Sequence, residues 1–174
     1  MAVQLDLIKK LREKSSASIG DCRNALEEAG QDIEKAVLIL RRRGMELADK
    51  KQDRVSKEGR IEAYVHAGNK IGVLLEVNSE TDFVARNSDF CQFAKDVAMQ
   101  IAACNPAYIR REDVPAEITK EQADFDAFCK QSCLMEQAFI KNPSLSIKDL
   151  LADLITKIGE NIVIRRYARY KIGE

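Results

Sequence analysis

Tryptophan is absent from this chain, histidine occurs once and proline three times, and 28 basic residues balance 28 acidic ones to a formal net charge of zero. With only six phenylalanines and four tyrosines, the core has to be mainly aliphatic. The lack of a basic excess argues against a general duplex binder, whose affinity comes largely from neutralising phosphates, so no direct nucleic-acid partner is expected. No apolar run approaches the ~18 residues that a membrane span needs. The opening residues, MAVQLDLIKKLREK, alternate charge with apolar side chains and do not read as a signal peptide. A cytoplasmic protein with no membrane partner is the expectation.

The usual chemical sites are missing as well. There is no G-x-x-x-x-G-K-[ST] loop to cradle phosphates, and neither G-x-G-x-x-G nor G-x-S-x-G occurs. The five cysteines (Cys22, Cys91, Cys104, Cys129, Cys133) are odd in number, scattered and without a C-x-x-C pair, which reads as reduced structural thiols. The one histidine, His66, has no H-x-x-x-H partner or cysteine pair for zinc, and it reads as a surface hydrogen-bonding group. No cofactor, metal or catalytic residue is expected, so the reading is a protein that is not an enzyme. An enzyme built on His66 and a carboxylate is the alternative from another class.

What is present is a 174-residue chain, 45% hydrophobic and 32% charged, enough for a small domain followed by a medium one. Residues 1–44 read as three helices. Val3, Leu7 and Leu11 recur at helical spacing, with Ile8 beside them. The break Ser15-Ser16-Ala17-Ser18 ends in a capping box, Ser18 with Asp21. A second helix turns Ile19, Cys22, Ala25, Leu26 and Ala29 inward and stops at Gly30. Asp32 caps a third, with Ile33, Ala36, Val37 and Leu40 on one face and Arg41, Arg42 and Arg43 in its last turn before Gly44. That triplet is either a nucleic-acid contact or a cationic turn complementing the helix's negative end. The charged stretch that follows reads as a short helix and linker, which divides the chain into a helical domain, 1–55, and a second domain, 56–174.

The second domain opens with a hairpin in which Ile61, Ala63 and Val65 alternate with Glu62, Tyr64 and His66. After a Gly68-Asn69 turn come Ile71, Val73, Leu75 and Val77. Phe90, Phe93, Ala94, Val97 and Ile101 mark a helix ending at Asn105-Pro106. Residues 107–145 are less legible, with one helix beginning near Ile118. Ser146 and Asp149 form a second capping box for a helix carrying Leu150, Leu151, Leu154 and Ile158, stopped by Gly159. Residues 161–171 read as a returning strand rich in arginine and tyrosine. Helices, a hairpin, helices and a strand imply an α+β fold with a small antiparallel sheet packed against helices.

One segment breaks the pattern. Glu80-Thr81-Asp82-Phe83-Val84-Ala85 sets an apolar aromatic beside a carboxylate in an otherwise polar loop. Either Phe83 folds back into the core while Thr81 or Asp82 caps the next helix, or it stands exposed as an anchor for a partner's pocket. In this segment, set within GNKIGVLLEVNSETDFVARN, the chain resembles the elongation factor Ts family, whose TDFVA signature recurs intact. The family's D-C-[KR]-x-A-L and D-I-E-K-A elements match Asp21–Leu26 and Asp32–Ala36, and its KIGENIVIRR matches Lys157–Arg166.

The resemblance implies a three-helix N-terminal domain similar to ubiquitin-associated domains, and a guanine-nucleotide exchange factor that binds elongation factor Tu. On that resemblance Thr81, Asp82, Phe83 and Val84 enter the partner's G domain and disturb its magnesium site. Arg12, Ile19 and Gly20 belong to the N-terminal contact, and His66 resembles a histidine near the partner. There are two departures. Ser15–Ser18 with Ile19-Gly20 replaces the family's T-G-A-G and the bulky residues after it. The E-G-R-x-x-K-F element is also missing before KIGEN, so a helical hairpin there is expected to be reduced or absent. Short members resemble half-molecules that pair, which implies a homodimer with the final strand in its interface. A module that uses the helical domain to hold ubiquitin-like or nascent chains is the rival reading.

Overall fold

The computed structural model describes residues 4–15, 17–51 and 53–174; Val3 and Ser16, both used in the reading above, lie outside them. The chain starts with α1 (Leu5–Ser15), α2 (Ile19–Glu28) and α3 (Ile33–Lys51), which enclose Leu11, Cys22, Ala25, Leu26 and Ala36. The predicted caps are in place. Ser18 Oγ accepts from the Asp21 amide at 3.1 Å and donates to its carboxylate at 2.6 Å. Asp32 accepts from the Lys35 amide at 3.1 Å. Gly30 follows α2 with φ +62°, a conformation that costs glycine nothing.

Three expectations are corrected here. Ile19 is not in the core: it is 59% exposed, because Ala17 and Cys22 already fill the space where the chain enters α2. The third helix does not stop before Gly44 but runs unbroken to Lys51, so there is no separate short helix after it. The reason is tertiary. Gly44 is buried where α3 crosses the helix near the C-terminus, and a Cβ built on it would lie 2.6 Å from Thr156 Oγ1 and 3.5 Å from the Ala152 carbonyl. It is a close-approach glycine, not a stop. Arg42 and Arg43, mid-helix as a result, reach back to Glu28 at 3.2 and 2.7 Å.

Beyond residues 53–57 come β1 (Glu58–Val65), β2 (Ile71–Ser79), α4 (Asp82–Ala85), α5 (Ser88–Cys104), α6 (Ala116–Glu121) and α7 (Phe125–Ser132). β3 (Ala138–Phe139), β4 (Asn142–Ser146), α8 (Ile147–Ile158) and β5 (Val163–Lys171) complete the chain. The sheet is antiparallel in the order β1-β2-β5. Val73, Leu75 and Val77 pack with Phe90, Val97 and Ile101 of α5 and with Leu151, Leu154 and Ile155 of α8 in the main core. The Ser146–Asp149 box starts α8 and Gly159, at φ +88°, ends it.

The hairpin corrects another expectation. Ile61 and Val65 are 67% and 62% exposed, whereas Glu62 is buried. Register decides this: Glu62 stands opposite Leu75 and Ala63 opposite Leu74, and directly opposed residues share a face. The strongly apolar row of β2 wins the core. It takes Glu62 inside, where Arg60 neutralises it at 2.7 Å. The apolar side of β1 is left facing out.

Residues 107–145 hold α6, near the expected Ile118, together with α7 and a small hairpin that periodicity did not mark. A minor cluster of Val114, Cys129 and Cys133 supports them. Burial and a hydrogen bond with Cys129 push the Cys133 thiol up to about 12. α6 and α7 are only six and eight residues long, so no long helical hairpin projects there.

The Gly44 contact makes the first prediction. In an exposed helix, Gly→Ala stabilises by ~0.5–1 kcal/mol. Here Gly44→Ala is expected to destabilise by about 1–2 kcal/mol through overpacking. Adding Thr156→Ala should recover most of the loss, measured by denaturant titration.

Candidate functional site

The segment singled out in the sequence forms the corner between sheet and helices. α4 is only four residues long, with Thr81 as its N-cap in an extended conformation. The Thr81 hydroxyl does not cap α4. It donates to Glu160 Oε1 at 2.6 Å, and the Thr81 amide donates to Oε2 of the same carboxylate at 3.0 Å. Both arms are charge-assisted, the stronger kind of hydrogen bond. Ser79, fully buried, donates its hydroxyl to the Thr81 carbonyl at 2.9 Å. Glu80 accepts from the Asn161 amide at 2.7 Å. On the far side, the amides of Arg86 and Asn87 donate to the carbonyls of Phe83 and Val84 at 3.2 and 2.9 Å.

Held at both ends, the turn directs its side chains to different sides. Ala85 is buried and Val84 packs on the main core, while Phe83 projects 81% exposed. Of the two fates open to Phe83, the structure has the exposed one. Burying a phenylalanine stabilises by roughly 1.5–3 kcal/mol, a gain that this exposed position forgoes. Asp82, half-buried beside it, forms an ion pair with Arg86 at 2.8 Å. Such a pair near the surface adds little to stability but orients the carboxylate.

The other sequence-selected residues lie elsewhere. Arg12 stands in the last turn of α1, and Ile19 and Gly20 open α2; all three are exposed. Among the described residues a Cβ on Gly20 would meet only Ser18 Oγ, at 3.8 Å, an ordinary van der Waals contact. His66, exposed at the end of β1, lies with Nδ1 3.1 Å from the Tyr64 hydroxyl. It sits at the opposite end of β2 from Thr81, about 25 Å away at ~3.3 Å per residue. The structure brings Thr81 to Val84 together and leaves His66 apart from them.

Sequence reasoning missed Ser79, Glu80, Glu160, Asn161 and Arg54, whose guanidinium is 3.5 Å from Glu80. The only available signal was the Gly159-Glu160-Asn161 stretch of the KIGEN element, and nothing in its spacing ties it to a threonine 79 positions earlier. A groove of about 1140 Å³ lies behind this corner, between α3, α8 and β5. Its charged lining mixes Lys57, Arg110, Arg111 and Lys148 with Asp53, Glu76, Glu112 and Asp113, which leaves little net field to hold phosphates. Among the described residues, no group of three or more His, Cys, Asp or Glu side chains could hold a metal ion. No helix there is long and apolar enough to cross a membrane.

The exposure of Phe83 has a direct test. Phe83→Ala is expected to leave thermal stability within about 0.5 kcal/mol of the parent, the range of a surface change. A buried phenylalanine would cost ~3–5 kcal/mol.

The family model described as "Elongation factor TS" matches residues 6–127. Elongation factor Ts of Carboxydothermus hydrogenoformans is 47% identical over 97% of this chain and 88% of its own length. That of Thermotoga maritima is 47% identical over 100% of this chain and 98% of its own, and that of Caldanaerobacter subterraneus subsp. tengcongensis is 45% identical over 99% and 98%. The Thermotoga alignment runs to 195 positions, so that relative carries residues for which this 174-residue chain has no counterpart. Identity at this level along the whole chain places it in the elongation factor Ts family.

Proposed function

We propose that this chain is the guanine-nucleotide exchange factor for elongation factor Tu, acting in the cytoplasm. It would bind the GDP form, release the nucleotide by disturbing the magnesium site, and remain bound until GTP enters. The observation that carries this reading is Phe83, an aromatic left exposed on a corner that is clamped at both ends. A side chain held in water at a cost suits a pocket on a partner. Asp82 beside it supplies direction, and Thr81 and Val84 fix the approach.

The energetics are consistent. Magnesium neutralises part of the charge on GDP's phosphates, and moving the ion or its surrounding loops leaves that charge under-compensated. A ~10³-fold acceleration of release requires about 4 kcal/mol off the barrier. An aromatic hot spot is worth ~2–4 kcal/mol, so Phe83 supplies much of this and not all. Arg12, Ile19 and Gly20, exposed on the helical unit, provide a second contact with the same G domain, with His66 at the margin. In this reading residues 1–55 form a docking domain of the ubiquitin-associated type and 56–174 the exchange core. No chemical reaction is catalysed and no nucleic acid is bound directly.

The test is release of fluorescent GDP from elongation factor Tu under excess unlabelled GDP. The chain is expected to accelerate release strongly. Phe83→Ala should retain part of the effect, and a double change at Asp82 and Phe83 should remove most of it. A double variant as fast as the parent sinks the proposal.

We also propose that two copies pair through the outer face of the sheet. Ile61, Val65, Leu74 and Tyr170 are all more than half exposed on β1, β2 and β5. Register puts them on one face with Ala63 and Ala168. The charges on that face, Glu76 and Arg166, already neutralise each other at 2.6 Å. A contiguous apolar face of this kind is self-complementary about a two-fold axis. Sedimentation equilibrium should give a dimer mass for the parent. Ile61→Glu with Leu74→Glu should give a monomer of unchanged far-ultraviolet circular dichroism.

A further inference from the structure

We propose that Glu160 and Asn161 are positioning residues: Glu160 holds the Phe83 corner in its projecting form, and Asn161 joins that corner to the segment leading from the N-terminal helices. This rests on the exchange-factor reading for its consequence, though not for its geometry.

A four-residue helix has no stability of its own, since a single turn barely repays its nucleation. An exposed aromatic adds a tendency to fold back. Something outside the turn must hold it, and the bonds at its N-terminal end converge on two consecutive residues just after α8. Glu160 takes both donors of Thr81, and Asn161 gives its amide proton to Glu80. The exchange is reciprocal: each of two neighbouring residues on one segment holds one of two neighbours on the other. Such pairing fixes rotation as well as distance.

The same node takes hold of the chain arriving from α3. Asn161, 2% exposed, donates from Nδ2 to the Arg54 carbonyl at 2.8 Å. The Ser56 hydroxyl donates to the Asn161 carbonyl at 3.3 Å, and Lys51 Nζ to the Gly159 carbonyl at 2.6 Å. Because α3 is continuous from the N-terminal cluster to Lys51, and Lys51 itself bonds to the Gly159 carbonyl, its direction is carried to the node. Docking of the N-terminal helices on a partner would then aim Phe83, where a loose linker would leave it to search.

A residue that acts through Phe83 loses most of its effect once Phe83 is gone, whereas the effect of a general stabiliser would simply multiply with that of Phe83→Ala. Nucleotide release from elongation factor Tu is measured against factor concentration for Glu160→Ala, Glu160→Gln, Phe83→Ala and the Glu160→Ala/Phe83→Ala pair. Glu160→Ala is expected to lower the maximal rate about tenfold, the loss typical of a charge-assisted hydrogen bond, with the half-saturating concentration changed less than about twofold. Glu160→Gln should recover most of it, since its amide can accept from the Thr81 amide and donate to the hydroxyl. Because Asp82 keeps its share in Phe83→Ala, the pair should be slower than Phe83→Ala alone, but by much less than the loss Glu160→Ala causes in the parent. Asn161→Ala should also lower the maximal rate.

Hydrogen exchange on the free protein tests the clamp without any partner. The bonded amides of Thr81, Ala85, Arg86 and Asn87 should lose protection in Glu160→Ala while α5 and α8 keep theirs; in Asn161→Ala they should stay protected, because the bond to Glu80 comes from the backbone. Multiplying effects in the pair, protection lost throughout α5 and α8, or a parent rate in Asn161→Ala would each overturn the corresponding role. If the unaltered protein fails to accelerate release, the exchange reading falls. The clamp would then stand or fall on hydrogen exchange alone.

Discussion

The carboxylate of Glu160 accepts from the amide and the hydroxyl of Thr81, and the projecting aromatic depends on that contact. Remove it in thought and Thr81 keeps only the Ser79 hydroxyl on its carbonyl, while α4 keeps only its own short backbone bonds and an apolar ring that gains by turning inward. With the contact present, Val84 and Ala85 are taken by the core and Phe83 is left outside. On this reading the burial pattern of three consecutive residues is set by an acceptor 79 positions further along the chain. Strain is not needed to explain it: Thr81 is in ordinary extended conformation.

The sheet shows the same precedence of long-range partners over local pattern. Alternation on β1 assigns Ile61 and Val65 to the core, yet pairing with β2 assigns Glu62. The conflict is resolved in favour of the strand with more to bury, and Arg60 makes the result tolerable by neutralising the buried carboxylate. What remains on the outside is an apolar face that an isolated domain has no use for. An outer face with that composition calls for a cover, which the proposed pairing of two copies would supply.

Much of the fold was legible because its signals are local. The boxes at Ser18–Asp21 and Ser146–Asp149, the left-handed glycines at 30 and 159 and the stripe from Phe90 to Ile101 each need only neighbours a turn away. What failed was local evidence with a distant cause. Gly44 looks like a stop because its reason, Thr156, is on another helix. Residues 107–145 read poorly because polar contacts carry part of their packing. The buried Gln100 side chain, for example, bonds to Gln137 and to the backbone at Ala138 and Ile140, a network with no periodicity. TDFV was recognisable as unusual, but whether Phe83 points in or out could not follow from its own segment, since Glu160 decides it.

Exchange of a bound nucleotide sets a thermodynamic requirement that such a corner meets. A factor accelerates release only so far as it binds the nucleotide-free partner better than the GDP-bound one, and by linkage GDP weakens the factor to the same degree. Contact energy gained equally in both states is wasted, and so is energy spent ordering the factor after it arrives. An aromatic already fixed in its projecting position has no ordering cost left at the moment of contact, so its burial is available to distort the partner's site. The same reasoning explains why the helical unit and the corner should share one rigid frame. If the first contact is made by α1 and α2, a continuous α3 and a pinned linker convert that contact into a defined direction for Phe83. A flexible joint at residues 53–57 would instead divide the binding energy between two independent events.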